Sequence, residues 1–263
     1  MNDTESLPMM LKALRLPSVQ HHYQRVARQA QSEEWSYERY IKELMELEMS
    51  DRAERRTERL LKRSELPEGK TLATLDQKLF PLKVRRQLPV LCEGGFLERA
   101  ENILAFGLPG RGKSHLAAAI TRELVMNRAC PAFFTSTHRL VERLLAAKQR
   151  LELEKELKKL DRFEVVVLDD IGYVQQSREE MEVLFTFLSQ CYERRSLIIT
   201  SNLVFSEWGK IFKDPMTTAA AIDRLVHHSV ILELSNESYR ANAAKERQKR
   251  MKPSKNTGDS HVV

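Results

Sequence analysis

The chain has 263 residues, of which 42% are hydrophobic and 30% charged, and its 43 Lys and Arg against 37 Asp and Glu give a formal net charge of +6. That apolar content with so small an imbalance excludes a disordered chain, and no apolar run approaches the ~18 residues that span a bilayer. The opening MNDTESLPMM lacks the basic start and apolar core of a secretory leader, and Cys92, Cys130 and Cys191 are too widely spaced for a disulfide framework or a C-x-x-C metal site, so a cytoplasmic protein with reduced cysteines is expected.

Residues 1–66 read as helix throughout. Leu7, Met10, Leu11 and Leu14 follow helical spacing until Pro17 stops them, and Val19, Tyr23, Val26 and Ala30 give a second stretch. Ser36 is placed to cap a longer helix whose buried face would carry Tyr37, Tyr40, Ile41, Leu44 and Leu47. Its later part, DRAERRTERLLKR, reads as a solvated face with i,i+4 pairs; a DNA-facing helix is the alternative. Residues 67–101, punctuated by Pro67, Gly69, Pro81, Pro89, Gly94 and Gly95, read as a linker with one or two short elements. The runs NILAF (102–106), PAFFT (131–135), FEVVVL (163–168), SLIIT (196–200) and SVILEL (229–234) then alternate with helical patterns. Short continuous apolar runs of this kind are strands buried on both faces. The expectation is an α/β domain over 102–240, a five-stranded, mostly parallel sheet with flanking helices, followed by a basic tail over 241–263. An unusually long helical stretch between the second and third strands, 137–161, would be capped by Thr137.

Three of only nine glycines, Gly107, Gly110 and Gly112, fall within GLPGRGKS, residues 107–114. The loop matches G-x-x-x-x-G-K-[ST] between a strand and a helix, the context in which the match carries weight. Backbone N–H groups of Gly107, Leu108, Pro109 (which lends only its turn), Gly110, Arg111, Gly112, Lys113, Ser114 and His115 surround a nucleotide phosphate, and the helix start adds its positive end. Lys113 reaches the β- and γ-phosphates and Ser114 offers an oxygen to Mg²⁺, so ATP with magnesium is expected. FEVVVLDD ends a strand in Asp169, which suits the metal, and Asp170, which suits the attacking water; a strand-end cap is the alternative. Asn202 follows the strand SLIIT and would read the γ-phosphate. No N-K-x-D guanine-selecting motif occurs, and no acceptor lid supports a small-molecule kinase.

These pieces together resemble AAA+ ATPases, and more specifically the IstB-like ATPases that help bacterial insertion sequences transpose, relatives of the DnaC-type helicase loaders. The likeness rests on YERYIKELMELE, FLERAENILAFGLPGRGKSHLAAAI, VVVLDDIGY, IITSN, AAAIDRLVHHS and ESYR. Arg111 departs from it, standing where a small or hydroxyl residue is common. The resemblance implies ATP hydrolysis, with Asp169 and Asp170 as the acidic pair and Asn202 as the first sensor. It makes Arg224, in AIDRLV, the arginine presented to a neighbouring subunit's γ-phosphate, and Arg240 a second sensor; Arg224 as a surface ion-pair residue and Arg240 as the start of the tail stay open. It implies self-association into rings or spirals, nucleoid association when DNA-bound, no membrane, and duplex DNA and the transposase of the same element as partners. The inserted helical stretch would face DNA with Arg139, Arg143, Lys148, Arg150, Lys155, Lys158 and Lys159, although Glu142, Glu152, Glu154 and Glu156 also fit a solvated helix. A helicase loader is the competing reading. The pairs His21–His22 and His227–His228 read as structural, adjacent residues pointing to different faces.

Overall fold

Each of the five apolar runs becomes a strand: β1 Asn102–Phe106, β2 Ala132–Ser136, β3 Val165–Asp169, β4 Ser196–Ser201 and β5 Ser229–Glu233. The chain is seen in a computed structural model that describes residues 6–173, 177–212 and 214–235. All four ladders are parallel, and the order across the sheet is β2-β3-β4-β1-β5. The start of β2 moves from Pro131 to Ala132 because proline has no N–H for a ladder.

Parallel neighbours need crossovers, and helices supply them on both faces. After α4 (Leu82–Glu93) and α5 (Gly95–Glu98), helix α6 (Lys113–Arg128) crosses one face, touching β1 to β4 and packing on α4. The opposite face carries α7 (Thr137–Gln149), α8 (Leu153–Leu160), α9 (Arg178–Cys191) and, beyond the four-residue α10 (Gly209–Phe212), α11 (Pro215–Val226). Alternation along the strands divides the side chains. Leu104, Phe106, Val166, Leu168, Leu197 and Ile199 enter the core under α7–α11, and the intervening residues turn to the α6 side.

The expected single helix over 137–161 is two. α7 ends in a turn where Leu151 takes the left-handed conformation (φ 59°), Leu151 N–H donates to the Lys148 carbonyl and Glu152 N–H to that of Ala147. Leu151 at the break is exposed (95%), while Leu157 and Leu160 beyond it lie in the core. The cap of α7 is Ser136, whose Oγ accepts from Arg139 N–H; Thr137 is the first helical residue and its hydroxyl goes elsewhere.

Residues up to Leu60 form a separate compact unit from those after it. It holds α1 (Leu7–Ala13), α2 (Pro17–Ser32) and all but the last three residues of α3 (Tyr37–Arg63). Pro17 ends nothing there but opens α2, where its missing N–H costs nothing. Leu11, Val19, Val26 and Leu44 form a small core with Tyr40 and Leu47 at its edge. Tyr37 (87% exposed) and Ile41 (57%) lie outside it, against expectation, because so small a core covers only part of the α3 stripe. The place beside Leu44 is taken by Glu48, 3% exposed, whose Oε2 accepts from Ser18 and Val19 N–H at the start of α2 while Arg52 donates to Oε1 at 2.8 Å. Burial pushes its pKa up, but the bonds from Arg52, Val19 and Ser18 outweigh that and hold it below the ordinary value.

The three thiols are free. Burial pushes Cys92 up to about 11 and Cys130 and Cys191 up to about 12, which keeps them protonated and unreactive.

Candidate functional site

The site is assembled by strand register. The ladder that sets Val165 beside Ser196 and Leu168 beside Ile199 carries Asp169 to the level of Thr200, and the one that sets Phe106 beside Ser201 carries Gly107 to the level of Asn202. The phosphate loop after β1, the acidic pair after β3 and Asn202 after β4 thus leave three adjacent strands at their carboxyl ends, where open α/β sheets bind ligands. Gly107 N–H donates to the Ser201 carbonyl at 3.3 Å, joining the loop to β4.

Gly110 and Gly112 hold left-handed conformations (φ 82° and 86°) that a side chain would resist, and α6 begins at Lys113. Lys113 is buried, its Nζ donating to the carbonyls of Gly107 (2.7 Å) and Leu108 (3.1 Å). Arg111, the departure from the family pattern, reaches across to donate to the Ser235 carbonyl at 3.0 Å beyond β5. Beside the loop lies a cavity of about 330 Å³, lined by Gly110 to His115 and by Lys70, Thr74, Leu75, Asp76, Leu79 and Phe80. His115 ties the two walls: its Nε2 donates to the Thr71 carbonyl at 3.0 Å and lies 3.1 Å from Thr74 Oγ1. Burial lowers its pKa, the bond to Thr71 opposing, so the ring is neutral with the proton on Nε2.

Asp169 is held at both ends. Its carbonyl accepts from Thr137 Oγ1 (3.2 Å) and its Oδ1 from Thr200 Oγ1 (2.6 Å). Asp170 adopts a left-handed backbone (φ 66°), with its N–H donating to Thr200 Oγ1 at 2.8 Å. Asn202 Oδ1 is shielded from solvent and has no hydrogen-bond partner among the described residues. It lies against Gly172, where an added Cβ would fall 2.1 Å from it.

The model of the family described as IstB-like ATP binding protein matches residues 9–248. The chain belongs to that family. A Sinorhizobium fredii protein named as an insertion-sequence ATP-binding protein is 43% identical over 93% of this chain and 82% of its own. An IS21 ATP-binding protein of Pseudomonas aeruginosa is 36% identical over 95% and 93%. Among solved structures, the DnaC helicase loader aligns with a TM-score of 0.52, 21% identity, and 58% and 89% coverage. AMPPCP-bound DnaA from Aquifex aeolicus aligns at 0.55, with 16% identity over 71% and 56%. Their distance in sequence makes them evidence of the fold alone, which is that of AAA+ proteins. No helix among the described residues is long and apolar enough to cross a membrane.

The remaining expected residues lie apart from the three strand ends. Arg224, on α11, has its partners on α9: its guanidinium donates to Ser189 Oγ at 2.8 Å and stacks 4.9 Å over the Phe185 ring. Six of the seven basic residues on α7 and α8 meet carboxylates. Arg139 pairs with Glu65, Arg143 and Lys159 with Glu156, Lys148 with Glu182, Lys155 with Glu152 and Lys158 with Glu154. Arg240 and the tail lie outside the described residues. The rings of His227 and His228 sit 4.2 Å apart, edge to face, rather than on opposite faces, because they occupy the turn between α11 and β5.

Thr200, Gly172 and the 70–80 wall of the cavity were not singled out from the sequence, and Thr137 was read only as a helix cap. Thr200 had a signal, a hydroxyl within an aliphatic strand two residues before Asn202.

Proposed function

We propose that this protein is an ATPase that assembles on duplex DNA and helps the transposase of its insertion element engage target DNA. The observation that carries the reading is the convergence of the phosphate loop, the acidic pair and Asn202 on three adjacent strand ends in a chain of this family. Lys113, now folded onto loop carbonyls, would turn to the β- and γ-phosphates, while the N–H groups at the start of α6 hold the phosphate oxygens. Magnesium, when bound, supplies neutralising charge to those phosphates; the Ser114 hydroxyl and the Asp169 carboxylate are the hard oxygen donors that would hold it. Asp170 orients the attacking water and takes its proton. The Asn202 amide would donate an Nδ2 hydrogen bond to the γ-phosphate, leaving Oδ1, which has no partner among the described residues, to accept from the attacking water.

Arg224 would come from a neighbouring subunit to stabilise charge on the transferred phosphoryl group, so hydrolysis needs at least two subunits in register. DNA binding through α7 and α8 would exchange carboxylate partners for backbone phosphates, which makes it salt-sensitive and indifferent to sequence. Arg240 and the basic tail would add to the nucleotide and DNA contacts.

The test measures hydrolysis with and without duplex DNA and images the protein on a long duplex with ATP and with ADP. Hydrolysis should rise on DNA and ordered assemblies should form with ATP. Arg224→Ala should keep ATP binding and lose hydrolysis by roughly 10³-fold. Normal hydrolysis by that variant removes Arg224 from the mechanism. Preference for a replicative helicase with no duplex binding replaces the helper reading with that of a loader.

A further inference from the structure

We propose that Thr200 is a positioning residue that sets both members of the acidic pair for ATP hydrolysis; the inference rests on the ATPase reading above. Thr200 is fully buried (0% exposed) within β4, among Leu197, Ile198 and Ile199. Nothing about packing there asks for a hydroxyl, since valine has the same shape and suits a strand equally. The hydroxyl has one proton to give and lone pairs to accept with, and the two bonds it makes both go to the acidic pair. It donates to Asp169 Oδ1 at 2.6 Å, the short length of a hydroxyl bound to a carboxylate, and it accepts from Asp170 N–H at 2.8 Å.

The consequences differ for the two acids. For Asp169, the bond takes up one carboxylate oxygen and fixes the plane of the group, so Oδ2 is the oxygen left for the metal and its waters. Thr137 fixes the backbone carbonyl of the same residue, so one buried hydroxyl holds its main chain and another its carboxylate. For Asp170, the bond satisfies a backbone donor in a left-handed conformation that an aspartate tolerates but does not favour. Without it the turn could relax toward an ordinary conformation and swing the Asp170 carboxylate away. A β-branched side chain in a strand has little freedom about χ1, so one rigid group governs both acids. Asn202 lies two residues further along, so the residue that reads the γ-phosphate and the one that orients the acids share the end of one strand.

The test uses full-length Thr200→Val, Thr200→Ser and Thr200→Ala, with Asp169→Asn as a control on the reading itself. Residues that orient a metal's ligands are worth about 10- to 100-fold in metal affinity or activity. Thr200→Val should therefore raise the magnesium concentration for half-maximal hydrolysis by about tenfold and lower kcat by about 10- to 100-fold. Its ATP affinity without magnesium should stay as in the wild type. Independently of activity, amide hydrogen exchange at Asp170 should become fast. Ser and Ala leave the same space where the methyl was, so a difference between them is the hydroxyl alone, even if Thr200→Val folds poorly; Ser should restore the wild-type magnesium requirement and Ala should not. A folded Thr200→Val with wild-type magnesium dependence and a protected Asp170 amide, or Ser and Ala variants that behave alike, overturns the inference. Wild-type hydrolysis by Asp169→Asn instead overturns the ATPase assignment of the acidic pair.

Discussion

Gly172→Ala tests the placement of Asn202 with a single methyl group. Gly172 lies in the short helical turn Ile171–Tyr173 after the acidic pair, and its φ is not among the positive ones, so alanine meets no backbone objection. The obstacle is contact: the new Cβ would fall 2.1 Å from Asn202 Oδ1 and 3.0 Å from Leu203 Cγ. An ordinary carbon–oxygen contact is roughly 3.2 Å, so about 1 Å must be opened. The turn cannot yield easily, because Ile171 is fully buried. The opposite backbone is held too, with Ser201 Oγ accepting from Leu203 N–H at 3.0 Å and donating to the Leu203 carbonyl at 2.8 Å. The Asn202 side chain must move. A displacement of about 1 Å in a positioned group costs up to about 100-fold in rate, or about 2.7 kcal/mol of barrier. Steady-state hydrolysis should show kcat lowered about 10- to 100-fold, while binding of a fluorescent ATP analogue and the thermal melt change little. Combined with Asn202→Ala, the second substitution should add nothing, since the group it displaces is gone. A kcat within about twofold of wild type for Gly172→Ala, at unchanged fold, would refute the assignment of Asn202.

Other expectations follow from buried groups. Glu48→Ala removes the acceptor for two N–H groups at the start of α2 together with the partner of Arg52, and should destabilise the N-terminal unit by about 3 kcal/mol in urea unfolding followed at Trp35. Because the folded carboxyl lies below its ordinary pKa, this stabilisation is complete above the unfolded pKa of about 4.3 and disappears as pH falls through the folded value. His115 is also held below its ordinary pKa, so the neutral ring's contribution is complete above about 6.5 and is lost as pH falls. Stability to thermal unfolding should fall over that range in the wild type and much less in His115→Gln. Iodoacetamide at pH 8 should leave Cys130 and Cys191 unmodified in the native protein and label all three cysteines in urea, measured by intact mass.

Much of the fold was legible because parallel strands are buried on both faces and announce themselves as apolar runs. NILAF became a strand without adjustment, SVILEL lost only its last residue, and the phosphate loop sat where its strand and helix required. What was hidden was relational. The sequence order of the strands does not say that β4 inserts between β3 and β1, and that insertion alone puts Thr200 beside Asp169 and Asn202 level with the phosphate loop. The turn at Leu151 was hidden because a leucine occupies a left-handed position that glycine usually marks. The charges of α7 and α8 could be counted but not paired, since Lys148 finds Glu182 on another helix.

The strand order also dictates when, during synthesis, the protein can first grip its nucleotide. Ile103 in β1 pairs with Ile198 in β4, and the other neighbour of β1, through Val230, comes later still. A nascent chain that has emerged through the phosphate loop, or even through the acidic pair, has its first strand unflanked on either side. Strand β1 thus waits on nearly the whole of the α/β domain, and contacts so distant along the chain form slowly. ATP in the cell has nothing to stabilise until β4 is made, so a ribosome that stalls between β3 and β4 leaves a hydrophobic half-sheet exposed.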